Sequence, residues 1–92
     1  MRAVGEHIVA LGEQLFRIPS PVSGIKILKV ISLNAEDNTY GAITAMVDLV
    51  REDEQEAFRA ALDTVGFRQL MVTASEITAM LNVEMEEGGG GG

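Results

Sequence analysis

Two prolines in the first quarter of the chain, Pro19 and Pro21, constrain its fold more than any other residues. Proline has no backbone N–H and restricts the residue before it to extended conformations, so no regular helix can cross this point. We therefore expect an extended connector here. Upstream of it, apolar residues recur at helical spacing, which predicts an amphipathic helix over residues 3–16. Its apolar stripe contains Val4, Ile8, Leu11 and Leu15.

Most of the chain after the prolines has the β-branched and alternating patterns that are typical of strands. Residues 25–33 are apolar on both faces, which predicts a buried strand, and the alternating residues 40–50 complete a hairpin with it. Residues 67–73 predict a third strand. The alternation of residues 76–86 predicts a fourth, but a helix that begins at Ser75 is the alternative, because Ala, Met, Leu and Glu favour helices.

Residues 53–65 give the clearest helix signal. Asp53 followed three residues later by Glu56 is a capping-box pattern, and Gly66 stands where helices often end with glycine. One stripe of this helix is apolar and should face the core. It contains Phe58, Ala61, Leu62 and Val65.

These elements predict a single α+β domain of residues 1–87, followed by a flexible glycine tail at 88–92. Two helices should cover one face of a four-stranded sheet, as in a two-layer sandwich. The segment from Ala42 to Ala74, with Ala-Leu-Asp-Thr-Val-Gly-Phe-Arg-Gln-Leu-Met-Val-Thr at its centre, resembles the βαβ half of ferredoxin-like regulatory modules such as PII-like and ACT domains. This resemblance implies a ferredoxin-like sheet, permuted so that its first strand comes last, and a tendency to pair sheets between subunits.

The charge and composition of the chain limit its function. Fourteen acidic against seven basic side chains give a net charge of -7, which disfavours direct binding to nucleic acid or to an anionic membrane. Without cysteine there can be no disulfide or thiol chemistry. No apolar run reaches the length of a membrane span, and no signal-peptide pattern is present, so we expect a soluble cytoplasmic protein.

No pattern of catalytic or ligand-binding residues stands out. His7 is the only histidine, and no serine lies in a Gly-x-Ser-x-Gly motif. The acidic residues around Asp53 are explained by helix capping, and Glu36-Asp37-Asn38 lacks the glycine and the distal glutamate of a calcium loop. The glycines follow no strand-to-helix junction of the kind that binds phosphate. We therefore expect no enzyme activity, no catalytic residue, no cofactor and no metal site.

The favoured function is a non-catalytic interaction or assembly module. It would act as a regulatory or structural subunit that forms a homo-oligomer or docks on a larger protein. Two helices can cover only one face of the predicted sheet, so the other face needs a partner. Thr44, Met46 and Met80 are the candidate interface residues on that face.

Two alternatives stay open. The terminal glycines resemble the tail of ubiquitin-like and sulfur-carrier proteins, which implies activation at Gly91 and Gly92. The second alternative is an acidic decoy that occupies the basic nucleic-acid site of a partner protein. Its affinity would fall steeply with salt.

Overall fold

The structure is a computed structural model that describes the backbone of residues 5–90 and the side chains of residues 5–86. Two strands come first and are followed by helical segments, so the prediction of an α+β protein is confirmed. The strands are β1 (Gly5–Leu11) and β2 (Gln14–Ser20), and the helices are α1 (Gly24–Ala35), α2 (Thr39–Met46), α3 (Gln55–Leu62) and α4 (Phe67–Gly90). Two 3₁₀ turns, Val47–Leu49 and Glu52–Glu54, connect α2 to α3. None of the helices described is long and apolar enough to cross a membrane.

The segment predicted to be an N-terminal helix is a β-hairpin. β1 and β2 are antiparallel, with Leu11 opposite Gln14 and Gly5 opposite Ser20. The turn between them contains Gly12 at φ +66°, a left-handed conformation that glycine adopts without strain. Strand β2 continues through Pro19, so the extended conformation expected at the prolines is confirmed.

The helix prediction was wrong because the buried side chains alternate along the hairpin and do not follow a helical stripe. Val9 and Leu11 face the core from β1, and Phe16 and Ile18 face it from β2. Ile8 and Leu15, two of the four residues of the predicted helical stripe, are exposed on the other face. Residues 1–4 of the predicted helix lie outside the described residues.

The four segments predicted to be strands are helical. Residues 25–33 lie in α1, residues 40–50 form α2 and the turn after it, and residues 67–73 and 76–86 belong to α4. The described residues contain one sheet of two strands. The four-stranded ferredoxin-like sheet is therefore not confirmed.

Burial explains why these apolar segments are helices. In α1, Ile27 and Val30 are buried, whereas Ile25 and Leu28 are exposed, so the run is apolar all round without being buried all round. In α4 the buried residues follow helical spacing, and the alternative of a helix over residues 76–86 was correct, although the helix begins at Phe67. The buried residues of this segment are Ile77, Met80, Leu81 and Glu84.

The helix predicted over residues 53–65 is present as a 3₁₀ turn that leads into α3. Phe58 and Ala61 are buried as predicted. The capping box is absent, because Asp53 lies within the 3₁₀ turn and pairs with Arg51 at 3.1 Å. Gly66 precedes α4 and does not end α3, which closes at Leu62.

The core lies between the inner face of the hairpin and the helices. Phe16 of β2 meets Phe58 of α3 edge to face, with ring centroids 5.0 Å apart. Ile77 and Leu81 join the same core cluster from α4, which packs against β1. The helices therefore cover the inner face of the hairpin, while Ile8 and Leu15 are exposed apolar residues on its outer face.

Candidate functional site

An exposed and mainly apolar groove is bordered by α2, α3 and the first turn of α4. It has a volume of about 610 Å³. Tyr40 and Phe67 flank it and are 81% and 77% exposed, respectively. We call it the aromatic groove. Its apolar lining consists of Tyr40, Ile43, Val47, Leu62, Phe67, Leu70 and Met71.

A tight turn before α2 fixes the position of Tyr40 at one side of the groove. Asn38 caps α2, and its side-chain oxygen accepts a hydrogen bond from the Gly41 amide at 2.9 Å. A Cβ atom at position 41 would lie 2.6 Å from the side-chain nitrogen Nδ2 of Asn38. Any residue other than glycine would therefore displace the side chain that caps the helix. The cap thus sets the first turn of α2, on which Tyr40 lies.

Two charged side chains, Arg59 and Asp63, lie at the polar rim of the groove. Among the side chains that the structure describes, neither has a hydrogen-bond or ion-pair partner. The rim can therefore offer both a cation and a carboxylate to a ligand. Two threonines, Thr39 and Thr44, add hydroxyl groups to it.

The structure separates the three candidate interface residues. Thr44 is exposed on the rim of the aromatic groove. Met46 and Met80 are buried in the core, because each lies on the inward face of a helix and no uncovered sheet face exists at these positions. Gly91 and Gly92, the candidates for tail activation, lie outside the described residues. The flexible tail at 88–92 stays a prediction.

A buried carboxylate, Glu84 of α4, joins the ends of the hairpin. This residue is only 6% exposed. Its Oε2 atom accepts hydrogen bonds from His7 Nε2 at 2.8 Å and from Ser20 Oγ at 2.5 Å. Its Oε1 atom accepts the Val22 amide at 3.0 Å. We call these four residues the Glu84 cluster.

The surroundings of Glu84 favour its ionised form. Burial alone would raise the pKa of this carboxyl, but the hydrogen bonds from Ser20, His7 and the Val22 amide outweigh it and lower the pKa from 4.5 to about 2. An ionised carboxylate only accepts hydrogen bonds, so His7 Nε2 carries a proton. Glu84 is therefore an anion at neutral pH.

The Glu84 cluster contains a serine, a histidine and an acid, but it is not arranged as a catalytic triad. In a triad the serine hydroxyl bonds to the histidine, and the acid orients that histidine from its other side. Here Ser20 and His7 both donate to the same oxygen of Glu84. The serine proton is directed at the carboxylate and not at a basic nitrogen, so this geometry holds β1, β2 and α4 together without activating a nucleophile.

A second cavity, of about 410 Å³, lies where β2 meets α1. Two of its polar side chains are already engaged: Lys26 donates to the Asp48 carbonyl oxygen at 3.2 Å, and Gln55 donates to the Val50 carbonyl oxygen at 3.0 Å. Within the described residues, no three side chains of His, Asp or Glu approach closely enough to hold a metal ion. The aromatic groove is therefore the stronger candidate site.

Comparison of the chain with protein-family models, with curated proteins and with solved structures finds no match. The described residues form a small α+β protein with an exposed, mainly apolar groove. Its function must therefore be argued from its own side chains.

The sequence analysis predicted neither the aromatic groove nor the Glu84 cluster. Glu84 contacts residues that are 77 and 64 positions away in the chain, so its partners could not be found from spacing. One signal was available: at helical spacing, Glu84 falls on the same stripe as Ile77, Met80 and Leu81. An acid on an apolar stripe indicates a buried polar contact.

Proposed function

We propose that the protein is a non-catalytic interaction module that binds a partner protein through the aromatic groove. The observation that carries this proposal is the placement of its aromatic residues. The chain has one tyrosine and three phenylalanines. Phe16 and Phe58 form the core contact, whereas Tyr40 and Phe67 expose most of their surface on either side of the groove.

Exposed aromatic rings around a concave apolar surface are typical of binding sites. Aromatic side chains dominate the energetics of protein interfaces, and they do so when they fill or border a pocket at the centre of the contact. Contiguous apolar patches on small proteins commonly mark such sites. Neither Tyr40 nor Phe67 contributes its ring to the core. The stability of the fold therefore does not explain why both rings lie beside the groove.

The rim defines the chemistry of the partner. Arg59 is available to a carboxylate, and the floor offers Ile43 and Leu70 to apolar side chains. A partner segment with two or three apolar anchors and an acidic residue beside them matches this surface. A charge at the rim should contribute mainly to specificity and association rate, whereas the aromatic rings should contribute most of the affinity.

Peptide selection followed by matched substitutions tests the proposal. Peptides selected from a random library on the wild-type protein should bind Phe67→Ala and Tyr40→Ala at least about tenfold more weakly, which corresponds to about 1.4 kcal/mol. Leu28→Ala is the control, because Leu28 is an exposed apolar residue on α1 outside the groove lining. Affinity that does not change in either groove variant would refute the proposal.

A further inference from the structure

The two edges of the hairpin differ in how their backbone groups are satisfied. In an antiparallel pair, successive residues point their N–H and C=O groups alternately toward the partner strand and away from it. Arg17 points away, because its amide donates to Glu54 Oε1 at 2.9 Å and its carbonyl accepts the Arg51 amide at 2.9 Å. Ile8 lies opposite Arg17. The peptide groups of Ile8 therefore point away from β2, to the outer edge of β1.

The edge of β2 is closed at Arg17, and the edge of β1 is open at Ile8. The Glu54 carboxylate already accepts the Arg17 amide, and the Arg51 amide already donates to the Arg17 carbonyl. Pro19 has no backbone N–H with which to pair. On β1, the Ala10 carbonyl accepts the Thr73 hydroxyl at 2.8 Å. The N–H and C=O of Ile8 have no hydrogen-bond partner within the part of the chain that the structure describes.

The side chains of β1 do not protect this edge. Natural edge strands usually avoid pairing by means of lysine, proline or a bulge. Strand β1 reads Gly-Glu-His-Ile-Val-Ala-Leu and pairs in regular register with β2 throughout. Ile8 is 65% exposed at the position where the backbone is open.

We propose that the outer edge of β1 pairs in antiparallel orientation with the same edge of a second copy of this chain, centred on Ile8, to form a continuous four-stranded sheet. A two-fold axis at Ile8 places the two Ile8 residues opposite each other. It also places Glu6 of each copy opposite Ala10 of the other. These three positions share the same outward orientation, so the pairing would form about six backbone hydrogen bonds.

Charge supports a second copy as the occupant. Glu6 is the acid of β1, and in this register it faces an alanine and not its own symmetry mate, so no like charges oppose each other across the seam. Glu6 already lies near Arg17 and Arg51 of its own chain, at 3.7 and 3.6 Å. The Ala10 carbonyl has a second lone pair, which leaves it able to accept the Glu6 amide as well as Thr73.

A second copy also removes a weakness of the fold. A two-stranded sheet is marginal by itself, and pairing of two hairpins doubles the number of strands. On the outer face, Ile8 of one copy would contact Ile8 of the other and bury apolar surface that is exposed in the single chain. This association uses the edge of β1 and does not depend on the aromatic groove.

Sedimentation equilibrium of the full chain tests the proposal. At micromolar concentration the wild-type protein should approach twice its mass of 9.9 kDa. Ile8→Lys should be monomeric, because a lysine on the edge opposes pairing while the side chain it replaces is exposed. Leu15→Lys is the matched control, since Leu15 is 68% exposed on the same face but lies on β2. It should remain a dimer.

Two further measurements fix the register and separate this interface from the groove. In a mixture of labelled and unlabelled chains, an intermolecular contact between the α-protons of His7 and Val9 is expected, because these residues would form the non-hydrogen-bonded pair next to Ile8. Phe67→Ala should leave the dimer intact. A monomeric wild-type protein, dissociation of Leu15→Lys equal to that of Ile8→Lys, a missing His7–Val9 contact in a dimer, or dissociation of Phe67→Ala would each overturn the proposal.

Discussion

Replacement of Glu84 by glutamine should remove a stabilising charge whose effect depends on pH. The carboxyl has a pKa of about 2 in the folded protein against an ordinary value of 4.5. A pKa that folding lowers stabilises the folded state fully above the ordinary value, and this contribution is lost as pH falls through the folded value. The window for Glu84 therefore runs from about pH 5 down to about pH 2.

The size of the effect follows from the two pKa values. At about 1.4 kcal/mol per pH unit, the difference between 4.5 and about 2 corresponds to about 3 kcal/mol at neutral pH. By the same relation, about 2 kcal/mol of this contribution is lost between pH 5 and pH 3. Glu84 has little exposed surface but lies close to solvent in this small fold, so solvent screening makes both figures upper bounds.

Urea unfolding of the wild-type protein and Glu84→Gln across this range is the appropriate assay. The difference in their free energies of unfolding should shrink by about 2 kcal/mol from pH 5 to pH 3, provided that both transitions are two-state. The other acids titrate in both proteins, so their contributions to the free energy of unfolding cancel in the difference. Glu86→Gln is the control, because Glu86 is exposed on the same helix, and it should change stability by less than about 0.5 kcal/mol. A difference between wild type and Glu84→Gln that does not vary with pH would refute this account of the cluster.

Three further substitutions and one control test the fold by urea unfolding at neutral pH. Phe58→Ala should cost about 3–5 kcal/mol, because Phe58 is fully buried against Phe16; a cost below about 1 kcal/mol would contradict that packing. Gly12→Ala should destabilise by about 1 kcal/mol, because alanine is strained at φ +66°, whereas Gly5→Ala, with open space around it, should have a much smaller effect. Asn38→Ala should cost about 1 kcal/mol through loss of the cap of α2, and an unchanged stability would show that the cap contributes nothing.

The fold class could be predicted from the sequence, but most element types could not. Residues 76–86 show the difficulty. All of the odd-numbered positions from Ile77 to Met85 are apolar, which is a strand pattern. The structure instead buries Met80 and Glu84 and exposes Val83 and Met85. A helix with apolar residues on nearly every face produces this alternation by chance, and only tertiary packing decides which stripe is buried.

The hairpin was missed for a different reason. Val9 and Leu11 alternate before Gly12, and Phe16 and Ile18 alternate after it, which is a strand–turn–strand signal. Ile8 and Leu15 match a helical stripe equally well, and they happen to be the apolar residues that the fold leaves exposed. The positive φ at Gly12 distinguishes the two arrangements, and φ is not visible in the sequence.

The hairpin depends on contacts from distant parts of the chain, which explains why local patterns did not predict it. Glu84 binds His7 on β1 and Ser20 on β2, Glu54 and Arg51 occupy the outer edge of β2, and Thr73 binds the carbonyl of Ala10. Each of these anchors comes from a residue more than 30 positions away from its strand partner, so none contributes to a local signal. The anchors hold β1 at His7 and Ala10 and β2 at Arg17 and Ser20, and they leave the backbone of Ile8 open at the centre of β1. The same non-local contacts that stabilise the hairpin thus define the edge at which a second copy can pair.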